Sequence, residues 1–574
     1  MSHKTYKTYS TKITPQSEPI PGKSMIANSA GGYSFEVNDW MKLQRFLCIG
    51  TEGGTFYIGE QKLTRDNAKN IEALIKTDGR KVVDMIVEIS DAGRAAKNDP
   101  AIFALAMCAG LGNEDTRKYA LENLPKVCRI GTHLFHFADY VQEFRGWGHG
   151  LRKAIANWYI EKDASNLAFQ LVKYQGRDGW TNKDLIKLAH PASDDSAKNL
   201  ALRWAIDKMG TKKVEYVDNL ASTTGAFAGG QRLATDGKLK VRWELDEALF
   251  TRELADAEKA LPLIYAFEQM KKETNEKKIL ALVKEYRMPL EAIPTEKQTV
   301  AVLEQALPNL GLTALIRNLG RYTEKGILAS LSANTKMIVE KLNDMEALRK
   351  ARIHPLQVLA ALAVYRQGHG IKGSLSWNAV PAIVDALDEA FYLSFGVIQP
   401  TGLNWFLGLD VSGSMSGAQC SGLPFITCAM ASAAMAMVAA RTEKNHVVMG
   451  FGTNIMELDI TPKMRLDQVL RKISNLNFGG TDCALPMVYA KQHKMEVDVF
   501  VVYTDNETWA GRSHPCQALR AYRQASGRNA REIVVGMMAN PFTIADPSDA
   551  GMLDVVGFDT SAPQIMSDFA LGKI

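Results

Sequence analysis

No apolar run in this 574-residue chain reaches the ~20 residues that a membrane-spanning helix needs. The longest, Phe425 to Ala440, is diluted by Ala, Ser and Thr and reads as a buried helix. Residues 1–24 are polar and lack the apolar core of a secretory signal. Cysteine is scarce. The seven cysteines are Cys48, Cys108, Cys128, Cys420, Cys428, Cys483 and Cys516, an odd number with no C-x-x-C pair. Their scatter argues against a disulfide framework and for reduced, buried thiols in a cytoplasmic protein. Net charge is small, +5 at pI 8.6, too mild to establish nucleic-acid binding. The chain also lacks G-x-x-x-x-G-K-[ST], H-E-x-x-H and G-x-S-x-G, so the common phosphate-loop, zinc-hydrolase and serine-hydrolase chemistries have no anchor. We therefore expect no enzymatic activity.

What is present is ordinary globular composition, 46% apolar and 23% charged, unevenly arranged. Residues 397–574 carry 14 basic and 16 acidic side chains, which leaves +7 on the first 396 residues. Residues 1–33 are rich in Ser, Thr, Lys and Pro and read as a flexible arm. From 34 to 396 apolar residues recur at three- and four-residue steps. Examples are Asp66–Ile75, Pro100–Ala109, Leu151–Ile160, Lys183–Ala189, Thr251–Met270, Thr299–Leu307 and Pro355–Tyr365. Prolines punctuate them. This predicts an α-solenoid of helix pairs with degenerate repeats. Asn219 to Lys240, with Ser-Thr-Thr-Gly and Gly-Gly-Gln, breaks the rhythm as an inserted loop or short hairpin. From 397 to 574 strands alternate with helices. Asn404–Leu409, His446–Phe451, Val497–Tyr503 and Glu532–Met537 are the predicted strands of a doubly wound α/β domain.

The α/β segment carries the sharpest motif. Asp410-Val411-Ser412-Gly413-Ser414 follows a predicted buried strand, Gly479-Gly480-Thr481-Asp482 offers another hydroxyl, and the strand from Val497 ends at Asp505. Carboxylates and hydroxyls in tight turns suit a hard divalent cation. A hydrogen-bonded turn network would use the same residues. The set resembles the metal-ion-dependent adhesion site of von Willebrand factor A domains. That likeness implies Ser412, Ser414 and Thr481 as direct ligands, with Asp410 and Asp505 acting directly or through water. Mg²⁺ is the expected ion, with Mn²⁺ as a substitute. An open position would remain for a partner's carboxylate or phosphate. Glu507, His514 and Cys483 lie nearby without a hydrolytic spacing.

In the helical part, Lys173, Arg177, Lys183, Lys187 and His190 are interleaved with Tyr174 and Trp180. Thr181 followed by Asp184 reads as a capping box. Lys183, Lys187 and His190 then share one helical face before Pro191. Such a stripe can hold phosphates while aromatics stack on unpaired bases. A solvated helix face with Trp180 in the core explains the same residues, and a histidine at a helix end more often caps a carbonyl.

Longer segments indicate a family. They are Trp40 to Ile58 with Glu60-Gln61-Lys62-Leu63, Cys128-Arg129-Ile130, Arg352-Ile353-His354-Pro355, Gly368-His369-Gly370, Thr504 to Thr508, Phe542 to Pro547, Gly551 to Asp554 and Gly557-Phe558-Asp559. In order and content they resemble the TROVE-domain family, founded on the Ro autoantigen. The likeness runs from about residue 38 to the C-terminus. It implies HEAT-like repeats closing into a ring whose ends the A domain joins. It also implies binding of small non-coding Y RNAs on the outer surface and of single-stranded 3′ ends of misfolded RNAs in the central hole. RNA quality control, an exoribonuclease partner and a monomeric state go with it. Family positions matching Lys173, Arg177 and His190 are implicated in Y RNA binding. Arg129, His133, His136, Arg317, Arg321, Arg352, His354 and His369 are candidates for single-strand contacts, since such contacts need sequence-tolerant cations. The competing reading is a protein-adhesion scaffold whose A domain recruits an acidic partner through the metal.

Overall fold

The computed structural model describes residues 13–49, 68–217, 239–370, 374–396, 398–418, 420, 426–474, 476 and 479–574. Two compact units emerge, one formed by Met1–Val127 with Gly311–Ile574, the other by Cys128–Leu310. Among the described residues no helix is long and apolar enough to cross a membrane.

Up to residue 393 the described chain is mostly helical, and within each unit neighbours in sequence pack as neighbours in space, as in a HEAT-like solenoid. Polar residues set the helix starts. Asn113, Asp163, Asp195, Asp246, Asn275, Thr299, Ser332 and Asp344 each accept a backbone N–H of the first turn, worth about 1 kcal/mol apiece. Pro355 and Pro381 occupy first-turn positions of Pro355–Gln367 and Pro381–Leu393, where a missing N–H costs nothing. Helix Lys69–Ala92 kinks at Asp78 (φ −150°). Gly79 beside the kink sits so close to Thr116 that a Cβ would lie 2.3 Å from its hydroxyl.

The helices expected from sequence are present with shifted ends. The single helix expected over Thr251–Met270 is two, Glu247–Ala260 and Pro262–Lys272, because Pro262 cannot continue the ladder and Leu261 adopts φ −137°. The interruption expected over Asn219–Lys240 falls almost wholly on residues that are not described; on either side of them Thr211–Val217 pairs antiparallel with Leu239–Leu245. Residues 218–238 lie outside the described residues, as do 50–67 of the first family segment.

The C-terminal part forms a six-stranded sheet. From one edge to the other its strands are Met552–Val556, Arg531–Gly536, Val499–Thr504, Trp405–Asp410, His446–Phe451 and Ile455–Glu457, all parallel but the last. Trp405–Asp410 and Val499–Thr504 are buried along their whole length, as a parallel strand covered on both faces requires. The Ala-rich stretch is a buried helix, Cys428–Thr442. The chain leaves Trp405–Asp410 toward His446–Phe451 on one side, while Val499–Thr504 lies on the other. The carboxyl ends of those strands therefore form a switch point.

The flexible arm expected over residues 1–33 is not what residues 13–33 form; residues 1–12 lie outside the description. Met25–Ala27, Tyr33–Glu36 and Phe542–Thr543 make a three-stranded antiparallel sheet. Ile20 and Phe35 belong to the same apolar core as Phe406, Phe500 and Leu519. The segment is polar in composition, yet its few apolar side chains and its backbone find partners some 500 residues away, a pairing that local composition does not encode.

Several family segments meet at joints inside the first unit. Arg45, fully buried on helix Asp39–Ile49, donates to Asp554 at 2.6 and 2.8 Å, to the Phe542 carbonyl at 2.9 Å and to that of Asn540. Arg94 grips Asp559 through Nε and Nη2, the shortest contact being 2.6 Å. His354 is fully buried. Its Nε2 lies 2.7 Å from the Phe558 carbonyl and 3.2 Å from that of Arg94.

Candidate functional site

The oxygen-rich turns converge at the switch point. Trp405–Asp410 and Val499–Thr504 pair in register with Leu409 opposite Tyr503, so Asp410 and Asp505 leave neighbouring strands side by side. Thr504 bridges them: its hydroxyl donates to Asp410 Oδ2 at 2.7 Å and accepts from Asn506 N at 3.1 Å. Asp410 Oδ1 accepts from Ser412 N at 3.0 Å, and the Ser412 and Ser414 hydroxyls lie 3.1 Å apart. Gly413 N donates to Gly479 O at 3.3 Å, which brings the loop carrying Thr481 against the turn. Asp410, Ser412, Ser414, Thr481 and Asp505 are all buried.

This arrangement concentrates negative charge away from water. Burial, then the charge of Asp505, pushes the Asp410 carboxyl up, and burial raises Asp505 as well. Among the described residues Asp505 Oδ2 has no hydrogen-bond partner. Glu507, two residues on, is also buried, with Oε1 unpartnered; burial first and Asp505 second push it up to about 7. Two buried carboxylates, three hydroxyls and an orphaned oxygen fit a hard divalent cation, whose charge would offset the desolvation these groups now bear. Among the described residues no cluster of three or more His, Cys, Asp and Glu side chains forms a metal site. A site built on hydroxyls lies outside that definition.

The basic stripe is in the second unit, where its members diverge. The capping box of Thr181 and Asp184 starts helix Asn182–Ala189. His190 closes it in the left-handed region (φ +50°), donating its backbone N–H to Ile186 O. Its exposed ring is thus no continuation of the helical face. Lys183 pairs with Asp207 at 2.6 Å, while Lys187 is exposed. Arg177 sits on a two-residue strand, Gly176–Arg177, paired with Trp180–Thr181. It is 62% exposed, with Asp178 at 3.5 Å. Lys173 is only 16% exposed, 3.7 Å from Glu291 and over the Phe169 and Tyr174 rings. Trp180 is half-buried, 5.4 Å from Trp147, with its indole N–H 3.4 Å from Asp139. The hairpin packs on helix Gly131–Phe144, where His136 meets Asp178 at 2.5 Å.

The single-strand candidates separate. Arg129 and His133 stand half-buried at the start of helix Gly131–Phe144 in the second unit. Arg317 is exposed on helix Leu312–Glu324 of the first. Arg352 (φ +50°) is tied to Asp91 through its carbonyl and carboxylate, both at 2.7 Å. His354 is a joint, not a contact surface. Burial holds it down at about 4, and its Nδ1 accepts Leu356 N.

Sequence reasoning missed Gln16 and the role of Thr504. Thr504 was legible, because it ends the strand one residue before Asp505. Gln16 carried no signal in its polar surroundings. It is fully buried, donating to Asp482 Oδ1 at 2.8 Å and to Ser513 O at 2.9 Å. Its Oε1 accepts from the Thr508 hydroxyl and from Gly511 N.

A helical solenoid followed by an A-type α/β domain, with a buried hydroxyl-and-carboxylate turn at the sheet's switch point, defines the class of protein. The chain matches the TROVE domain over residues 26–364 and the Ro60 vWA domain over residues 404–570. It is 40% identical to the RNA-binding protein RO60 of Deinococcus radiodurans, over 98% of each chain. It is 36% identical to the RNA-binding protein RO60 of Caenorhabditis elegans, over 96% of this chain and 90% of that one. The crystal structure of the Deinococcus radiodurans RO (RSR) protein superposes with a TM-score of 0.66 at 39% identity, covering 94% of this chain and all of that one. The chain belongs to the Ro60 family of TROVE-domain proteins.

Proposed function

We propose that this protein is a non-catalytic RNA-binding protein of the Ro type. The observation that carries this reading is similarity along nearly the whole chain to two proteins named for RNA binding rather than for an activity. A structured Y-like small RNA is held at the surface around the Gly176–Thr181 hairpin. There Arg177 and Lys187 are exposed cations that can meet phosphates, His190 is an exposed imidazole that can donate a hydrogen bond to one, and Trp180 and Tyr174 supply faces for unpaired bases. Lys173 and Lys183 contribute after exchanging Glu291 and Asp207 for phosphate. Single-stranded 3′ ends of misfolded RNA are a second ligand; on the first unit the exposed Arg317 is a stronger candidate than Arg352, whose guanidinium is engaged by Asp91, and on the second unit Arg129 and His133 are candidates in their own right. Quality control follows if an exoribonuclease receives such ends. A cytoplasmic location accords with cysteines that are free and buried.

In the A domain, Ser412, Ser414 and Thr481, with Asp410 and Asp505 directly or through water, hold Mg²⁺ or, in its place, Mn²⁺. Bound there, the ion would supply positive charge that attracts a partner's carboxylate or phosphate. Thr504 fixes the orientation of Asp410, and the Ser412 backbone shares it. A second reading, a metal-mediated adhesion scaffold recruiting an acidic protein, is favoured by the unpartnered Asp505 Oδ2.

The test is a gel-shift titration at defined salt with a structured Y-like hairpin and a duplex bearing a single-stranded 3′ tail, each with Mg²⁺ and with chelator. Salt-sensitive binding with intact RNA afterwards supports the Ro-type reading. No binding of either RNA at physiological salt overturns it in favour of the adhesion scaffold.

A further inference from the structure

Residues 13–34 do more than pack against the A domain. They are wired to both loops that present the proposed ligands. On the Thr481 side, Gln16 donates to Asp482 at 2.8 Å. On the Asp505 side the contacts are denser. Asn28 Nδ2 donates to Thr508 O at 2.7 Å, Ala30 N to Glu507 Oε2 at 3.1 Å and the Ser34 hydroxyl to Asn506 O at 3.2 Å. Gln16 Oε1 accepts from Thr508 and Gly511. Gln16 is thus a buried amide that reaches both loops, its Nε2 on Asp482 and Ser513 and its Oε1 on Thr508 and Gly511. The Thr508 hydroxyl also donates toward Thr481 O at 3.4 Å and accepts Cys483 N at 3.1 Å. The backbone repeats the pattern: Gln16 N donates to Gly511 O and Tyr33 N to Gln16 O, each at 2.9 Å. Gly32 lies so close to Thr508 that a Cβ would sit 1.9 Å from its carbonyl oxygen. Only glycine lets the strap close this tightly.

We propose that the 13–34 segment is a positioning strap for the cation site. In this view Gln16 holds the Thr481 and Asp505 loops at one separation, so that strap seating and divalent-ion binding are thermodynamically coupled. The proposal rests on the cation site of the preceding section. Gln16 touches no ligand oxygen. It acts on Thr481 through Asp482, and on Asp505 through Thr508. Hydrogen-bonded supports of this kind are worth about 10–100-fold in metal affinity. Linkage makes the effect mutual: whatever the strap adds to ion affinity, the ion returns to strap stability.

The experiment uses the full chain, with Mn²⁺ alone as the probe, followed by electron paramagnetic resonance. Wild type, Asp410→Ala and Gln16→Leu are titrated below their unfolding temperatures. The expected result is one site in wild type, abolished by Asp410→Ala, and bound about 10-fold or more weakly by Gln16→Leu. Equal affinity in wild type and Gln16→Leu overturns the coupling while leaving the cation site standing. Absence of any Asp410-dependent site in wild type removes the cation reading, and the strap proposal with it. Because Gln16→Leu can fail to fold, hydrogen exchange on the unmodified chain supplies an independent arm. Mg²⁺ should slow exchange at the Gln16, Ala30 and Tyr33 amides and leave helix Asn182–Ala189 unchanged. Identical exchange at those three amides with and without Mg²⁺, in a protein shown to bind the ion, refutes the strap.

Discussion

Acidification should weaken the joint at His354 by an amount its geometry sets. Nδ1 accepts the Leu356 N–H at 3.1 Å, while Nε2 faces two carbonyls, those of Phe558 and Arg94. That pattern requires the neutral ring with its proton on Nε2. A second proton on Nδ1 would oppose the Leu356 N–H and place a charge in a fully buried site. Burial accordingly lowers the folded-state value from 6.5 to about 4. The unfolded chain takes up this proton below about pH 6.5 and the folded chain does not until about pH 4. Stability therefore falls as pH drops through that window, by about 1.4 kcal/mol per pH unit and about 3 kcal/mol in all. Glu532 works in the opposite sense over part of the same range. Fully buried, with neither carboxylate oxygen partnered among the described residues, it is pushed up by burial from 4.5 to about 8. The total slope of the wild type therefore conceals the histidine, and the informative quantity is a difference. His354→Asn keeps a capping acceptor and an amide donor but cannot titrate. Urea unfolding of both proteins from pH ~7 to ~4 should show wild type losing about 3 kcal/mol relative to the variant. Parallel pH profiles would refute the buried neutral histidine.

Three further outcomes are expected. Lys173→Ala with Arg177→Ala should weaken Y-like RNA binding and reduce the slope of log K against log salt by up to about 0.9 per lost phosphate contact; an unchanged slope would remove this surface from the interface. Arg45→Met should cost about 3–5 kcal/mol in denaturant unfolding, since it leaves Asp554 its Thr543 hydroxyl but no countercharge and removes the donor of two carbonyls, and a loss below about 1 kcal/mol would mean that the joint is solvated. Glu532→Met should gain stability over wild type as pH rises from ~4.5 to ~8, by about 4 kcal/mol across the window, because the folded chain holds a proton that the unfolded chain has released. A gap independent of pH in thermal unfolding would show that Glu532 is ionised in the fold.

The strands around the oxygen-rich turns were legible because their signal is local. Predicted Asn404–Leu409 is Trp405–Asp410, and predicted His446–Phe451 is found unchanged. A parallel strand buried on both faces is a continuous apolar run, and the oxygen-rich turn follows at once in sequence. The capping box at Thr181 was readable for the same reason, its two halves lying three residues apart. The short strand Met552–Val556 escaped, since Asp554 interrupts its apolar pattern to meet Arg45. The basic stripe was read as one helical face, but His190 departs from it in a left-handed cap.

By itself, then, the sequence determined the helical and α/β halves, the strand ends that carry Asp410 and Asp505, and the family. Periodicity, caps and turn residues act over a few positions and are written side by side. Tertiary structure alone decided that polar residues 13–33 would become part of the A domain, that Gln16 would bridge two of its loops and that Glu291 would hold Lys173. It also decided that His354 would be sealed in neutral form between two carbonyls. Each of those outcomes depends on partners brought together across tens to hundreds of residues, where burial and hydrogen-bond satisfaction, not local propensity, set the energy.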